Sequence, residues 1–123
     1  MAKSIAYWIT TGIVALILLS AGIAQVTEQP ANVEGFARLG YPAYFMVYLG
    51  VWKLAGGIVI LVPRLPRAKE WAYAGILIDF TSAVVSHAVH GDGPAHVALP
   101  VVCIAILVAS WWLRPARRIV GEL

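Results

Sequence analysis

The chain has 123 residues, of which 61% are hydrophobic and 12% charged, with a mean hydropathy of +0.83. Soluble domains carry about 25% charged residues, and a chain this short cannot hide so many long apolar runs in one soluble core, so a soluble globular domain is excluded. The net charge of +3 is no nucleic-acid footprint, because the basic residues lie at segment ends and not along a stripe.

One compact membrane-embedded unit over residues 1–123 is the natural domain count. Cys103 is the single cysteine. It rules out an intrachain disulfide, CxxC redox chemistry and a thiolate metal cluster within one chain, and reads as a small apolar packing residue.

Lys3 precedes an unbroken apolar run, about 5–24. Roughly 20 residues is what a spanning helix needs and is long for the h-region of a signal peptide, the competing reading that Gly22 and Ala24 raise. Thr10, Thr11 and Ser20 are cheap in such a helix, because each hydroxyl can return to a helix carbonyl. From Gln25 to Tyr41 the composition turns polar. There Pro30 and Asn32 can start a short helix and Gly40 can end it, giving an interfacial segment with Phe36 and Leu39 on the membrane surface.

Pro42 suits the first turn of a second span, about 43–62, closed by Pro63. Gly50, Gly56 and Gly57 flank Lys53 and let neighbouring backbones approach. Tyr41, Tyr44, Tyr48 and Trp52 crowd its first half as an interfacial aromatic belt would. The connection PRLPRAKE comes next, and its two prolines keep it from continuing the helix. A third span is expected at about 71–90, then a tight Gly/Pro turn, GDGPAH. The fourth, about 97–113, has Pro100 in its first turn and a basic stop, RPARR, after it. The fold class is therefore all-α: a membrane-embedded four-helix bundle with a short interfacial helix between the first two spans.

Lys3, Arg64, Arg67, Lys69, Arg114, Arg117 and Arg118 fall on one side of these spans, and Arg38 alone on the other. The positive-inside rule then puts both termini in the cytoplasm, with the protein multi-pass in the cell's inner membrane.

The third span carries Asp79 near its middle. At 100° per residue Gly75, Asp79, Ser82, Ser86 and His90 share one side, with His87 on its edge, while Tyr73, Leu77, Phe80 and Val84 fall opposite. A charge at bilayer depth costs roughly 2.5–3.5 kcal/mol on insertion scales, so Asp79 should face protein or a water-filled cavity. Lys53 is the one basic side chain at similar depth. It lies about 15 Å below the start of its helix, and Asp79 about 12 Å above the start of its own, at 1.5 Å per residue. In a core of about 30 Å the two heights agree within a turn or so. The pair reads either as a structural contact that fixes packing or as a buried polar site of Lys53, Asp79, Ser82, Ser86 and His90. Tyr48, Trp52 and His87 form a candidate ligand cleft beside it.

No catalytic residue and no metal site is assigned. HAVHGDGPAH places His87 and His90 on one helix face near Asp92 and His96, but the spacing matches no strong metal signature. Ser82 and Ser86 lack the context of a hydrolase nucleophile.

Three blocks carry a family resemblance: GFARLGYPAYF (35–45), LGVWKLAGGIVILVPRLPRAKEWAYAG (49–75) and IDFTSAVVSHAVHGD (78–92). The chain resembles the DoxX-like family of small bacterial membrane proteins from the first helix to the fourth. Lys53, Glu70, Trp71, Asp79, Ser86 and Asp92 sit in the most recognisable blocks. The resemblance implies a four-helix membrane bundle, and relatives linked to quinone-dependent redox complexes or to assembly of membrane proteins. It carries over no catalytic residue.

Three functional readings are open. The first is a non-catalytic membrane subunit or assembly factor, docking a membrane-protein partner or a second copy of itself within the lipid bilayer. The second is an accessory to quinone-linked redox chemistry that admits a lipophilic head group. The third is a small oligomeric permease or proton path. The first is favoured, an enzymatic role is not, and no cofactor is assigned beyond the quinone of the second reading. Reporter fusions after Arg67 and after Arg118 should both read cytoplasmic, and fusions at Glu34 and Asp92 should read outside. A periplasmic signal at Arg118 would leave three spans and revive the signal peptide.

Overall fold

In the computed structural model, which describes residues 2–62, 65–91 and 93–114, the chain forms five helices. They are α1 (Ala2–Val26), α2 (Pro30–Arg38), α3 (Ala43–Leu61), α4 (Pro66–Val89) and α5 (Pro94–Trp112). Among the described residues there is no strand. All but α2 are long and apolar enough to cross a membrane, so the all-α four-helix architecture is present. The short α2 lies between the first two spans and rests on α3 and α1.

The starts of α4 and α5 differ from the sequence reading for one reason. α4 begins at Pro66, more than a turn before Trp71, and α5 begins at Pro94, before Val97. Each proline occupies the first turn of its helix, where the missing N–H would have had no intrahelical acceptor. Residues that read as helix breakers are therefore helix starts. Pro100 accordingly lies inside α5, beyond its first turn, and cannot donate to the His96 carbonyl. α1 likewise begins at Ala2, ahead of the apolar run.

Two turns show how the spans are ended. At the end of α1 the Gln29 N–H donates to Ala24 O and the Glu28 N–H to Gln25 O, at 3.0 and 3.2 Å. This is a Schellman closure, whose turning residue is normally glycine. Here Glu28 holds that position at φ 54°. At the end of α2 the same pattern recurs, with Tyr41 N–H on Phe36 O and Gly40 at φ 92°.

The spans form a ring in which α1 packs on α3, α3 on α4, α4 on α5 and α5 on α1. Short connections make successive spans antiparallel. The α1–α3 seam is the closest. A Cβ on Gly22 would stand 3.0 Å from the Gly50 carbonyl oxygen, and one on Gly50 3.1 Å from that of Gly22. Two backbones in contact need glycine on both sides. The buried face of α1 runs Tyr7, Thr11, Val14, Leu18, Gly22, Gln25, in steps of three and four residues as along one side of a packed helix. Val14, Leu18, Ile60, Tyr73, Ile76, Phe80 and Leu107 fill the centre, with Cys103 packed among them.

Glu28 tests the α1 closure. An L-residue in the left-handed region is strained by about 1–2 kcal/mol, part of which glycine returns as chain entropy. Glu28→Gly should therefore stabilise the protein by roughly 0.5–1 kcal/mol, read as a higher melting temperature in detergent. An unchanged or lower melting temperature would remove the Schellman assignment.

Candidate functional site

Lys53 and Asp79 meet at the α3–α4 seam. Lys53 Nζ lies 3.5 Å from Asp79 Oδ2, and the two side chains keep 15% and 20% of their exposure. The seam is close enough for this because Gly56, nearly a turn beyond Lys53, faces Ile76: a Cβ there would already touch that side chain at 3.5 Å. Antiparallel packing makes the depths match, since one helix descends through the level at which the other rises. The pair sits at the outer edge of the bundle, not on its axis.

The reason lies in how α4 is turned. Its buried residues are Pro66, Lys69, Tyr73, Ile76 and Phe80, whereas Leu77 is 39% exposed. With that face inward, the stripe of Gly75, Ser82 and His90 looks out of the bundle. Asp79, on the same stripe, is turned far enough toward α3 to pair with Lys53. Ser82 is exposed and donates its hydroxyl to Ile78 O at 2.7 Å, and Thr81 donates to Leu77 O at 2.9 Å. Ser86 shares a hydrogen bond of 2.9 Å with the Tyr41 hydroxyl. His90 Nδ1 lies 3.0 Å from Ser86 O. A shallow groove of about 250 Å³ runs along this stripe, lined by Tyr41, Thr81, Ser82, Val85 and Ser86.

Of the residues expected as a ligand cleft, Tyr48 and Trp52 are in ring contact with one another, and His87 stacks on a residue of α5 instead. Tyr48 and Trp52 are 56% and 61% exposed on the outer side of α3. They end an aromatic ladder that starts at Phe36 and passes through Tyr41 and Phe45. His87 stacks on His96, ring centroids 5.5 Å apart, and lines neither this groove nor the one between α4 and α5. Asp92 lies outside the described residues, as do Arg64, Arg117 and Arg118.

A second polar system, at the basic end, is not part of the site expected from the sequence. Ser110 Oγ lies 2.5 Å from Thr11 Oγ1 and 2.7 Å from the Tyr73 hydroxyl, tying α1, α5 and α4 together inside the bundle. Thr11 thus differs from Thr10 and Ser20, which do return their hydroxyls to Ala6 O and Leu16 O. The letters separate the two threonines only weakly: at 100° per residue Thr11 falls about 40° and Thr10 about 60° from the mean direction of Tyr7, Val14 and Leu18. Below this knot Arg114 pairs with Glu70, donates Nε–H to Trp111 O at 2.9 Å and lies over the Tyr73 ring. Lys69, one of the basic residues behind the expected orientation, is fully buried. Its ammonium donates to Val59 O at 2.7 Å and to Val62 O, occupying the last carbonyls of α3, where a cation is favoured.

The seam site can hold a charge pair at depth and offer hydroxyl groups to whatever covers it. Thr81 and Ser82 spend their hydrogens on the helix backbone and present oxygen lone pairs. In the Tyr41–Ser86 bond only one hydroxyl donates, so the other keeps a hydrogen to offer.

The sequence model of the DoxX-like family matches residues 9–110, most of the chain and all of the seam. No curated protein and no solved structure matches the chain.

The pair itself is testable by a double-mutant cycle. Removing one partner of a buried pair leaves an uncompensated charge, a loss of typically about 3–5 kcal/mol. Lys53→Met and Asp79→Asn should each lower detergent thermostability, and the double variant should recover part of the loss. Additive losses would show that the two charges do not depend on one another.

Proposed function

The chain belongs to the DoxX-like family, and on that basis we propose that this small integral membrane protein is a non-catalytic subunit or assembly factor. In this reading it is a multi-pass protein of the inner membrane with both termini cytoplasmic. Its outward α4 stripe docks a helix of a partner membrane protein. The observation that carries the reading is the position of the Lys53–Asp79 pair: both side chains remain partly open at the rim of the bundle. Charges at bilayer depth are normally turned toward protein. A partner helix laid along Gly75, Ser82 and Ser86 completes their enclosure. Gly75 suits such an approach, since a Cβ there would meet nothing within 4 Å, and small residues are what helix contacts in membranes use.

A second reading is favoured by the hydroxyl-lined groove at Tyr41, Thr81, Ser82 and Ser86. It would suit the carbonyl and hydroxyl oxygens of a lipophilic head group such as a quinone, with the protein an accessory to redox chemistry performed elsewhere. A solute or proton path through the centre is disfavoured by the apolar packing there; such a path would run along the α3–α4 seam in an oligomer.

Site-specific crosslinking separates these readings. A photo-crosslinking residue at Ser82 should capture a partner membrane protein, or a second copy of this chain. The same residue at Leu16, 69% exposed on α1, should capture neither. Quinone co-extracted with the protein, and lost in Ser86→Leu, would favour the second reading. Equal capture from Ser82 and Leu16 would sink the docking face.

A further inference from the structure

On the opposite flank of α4 a second groove of about 320 Å³ opens between α4 and α5. This is at the small end of the roughly 300–1,000 Å³ range of ligand pockets. Its floor is Tyr73 and Leu107, both buried core residues, and its walls are Ala74 and Leu77 on one side and Val108 on the other. The lining is almost wholly apolar until the basic end of the bundle, where Glu70 and Trp111 close it. The groove is therefore an oily slot with one polar mouth.

The mouth is positively biased. Glu70 is neutralised by Arg114 and lies 3.5 Å from the Trp111 indole nitrogen. Arg67 is exposed, one turn before Glu70 and two turns before Ala74 on the same side of α4. Lys3 lies at the same end of the bundle, so among the described residues the balance of charge there is positive. Arginine at a membrane surface attracts anionic lipid, and its planar fork suits a phosphate. The exposed Trp112, 72% open, and Trp71, 82% open, mark this level as the headgroup boundary.

We infer that the α4–α5 groove seats one acyl chain of an anionic phospholipid, whose phosphate is held by Arg67 at its mouth. Lipid chains cover every face of a membrane bundle. What distinguishes this groove is the alignment of a slot floored by core side chains with an exposed guanidinium at its polar end. The site is independent of the docking face, which lies on the other flank of α4. A protein whose partner contact fails can still retain the lipid.

Native mass spectrometry tests the assignment on the full chain, released from nanodiscs of equal phosphatidylglycerol and phosphatidylcholine with identical acyl chains. The wild type should retain one phosphatidylglycerol about five- to tenfold in preference to phosphatidylcholine, the selectivity expected of one arginine at a lipid phosphate. Arg67→Gln, at an exposed position, should bring the ratio close to one while a chain is still retained. Ala74→Trp, which fills the slot, should reduce retention of both lipids. No headgroup preference in the wild type, an unchanged preference in Arg67→Gln, or undiminished retention in folded Ala74→Trp would each overturn the site. If Ala74→Trp does not fold, the wild-type and Arg67→Gln ratios decide alone.

Discussion

Hydrocarbon offers no hydrogen bonds, so each polar group that enters the membrane must find its partner inside the protein. The arrangement of this small bundle follows that constraint, and among the described residues the buried Gln25 Oε1, at the end of α1, is the exception. Thr10, Ser20, Thr81 and Ser82 return their hydroxyls to the helix that carries them. Lys69 supplies donors to carbonyls at the end of α3. Thr11, Tyr73 and Ser110 satisfy one another across three helices. Lys53 and Asp79 are, among the described residues, the one case in which full charges meet far from either end.

These polar contacts divide by position into two kinds. The Thr11–Ser110–Tyr73 knot lies where α1, α4 and α5 converge, and its partners are fixed by the interior of the bundle. Apolar replacements of similar shape could pack there, so its value lies in specifying which helices meet. The α3–α4 pair is different, because it joins only two helices and stays partly open. A polar feature left on the outside of a membrane protein keeps its capacity to meet something else, and this separates the candidate site from the scaffold.

The same rotation of α4 sets both outer surfaces. With Tyr73, Ile76 and Phe80 turned inward, Ser82 and Ser86 must fall on one flank and Ala74 and Leu77 on the other. One flank receives a hydroxyl-lined groove beside α3, the other an apolar slot beside α5. A single helix therefore presents two surfaces of opposite character to the membrane.

Composition and the spacing of apolar runs determined the class, the number of spans and their order, because a helix must match the bilayer thickness whatever it packs against. Depth alone brought Lys53 and Asp79 level. Glycines at 50, 56 and 57 marked α3 as a helix that is closely approached. The tertiary structure decided what depends on azimuth and on neighbours. Periodicity put Asp79 on a polar side of its helix, but only packing could show that this side is the rim. Apolar periodicity does not distinguish an inward face from an outward one when lipid and core are equally apolar. For the same reason Leu77 and Ile76 could not be told apart from the letters, although one is exposed and the other in the core. Thr11, Ser110 and Tyr73 are remote in sequence, and their meeting depends on the ring order of the helices. Pro66 and Pro94 were ambiguous because proline both stops and starts helices. Which of the two it does depends on whether the residues after it can carry the helix onward against a neighbouring span.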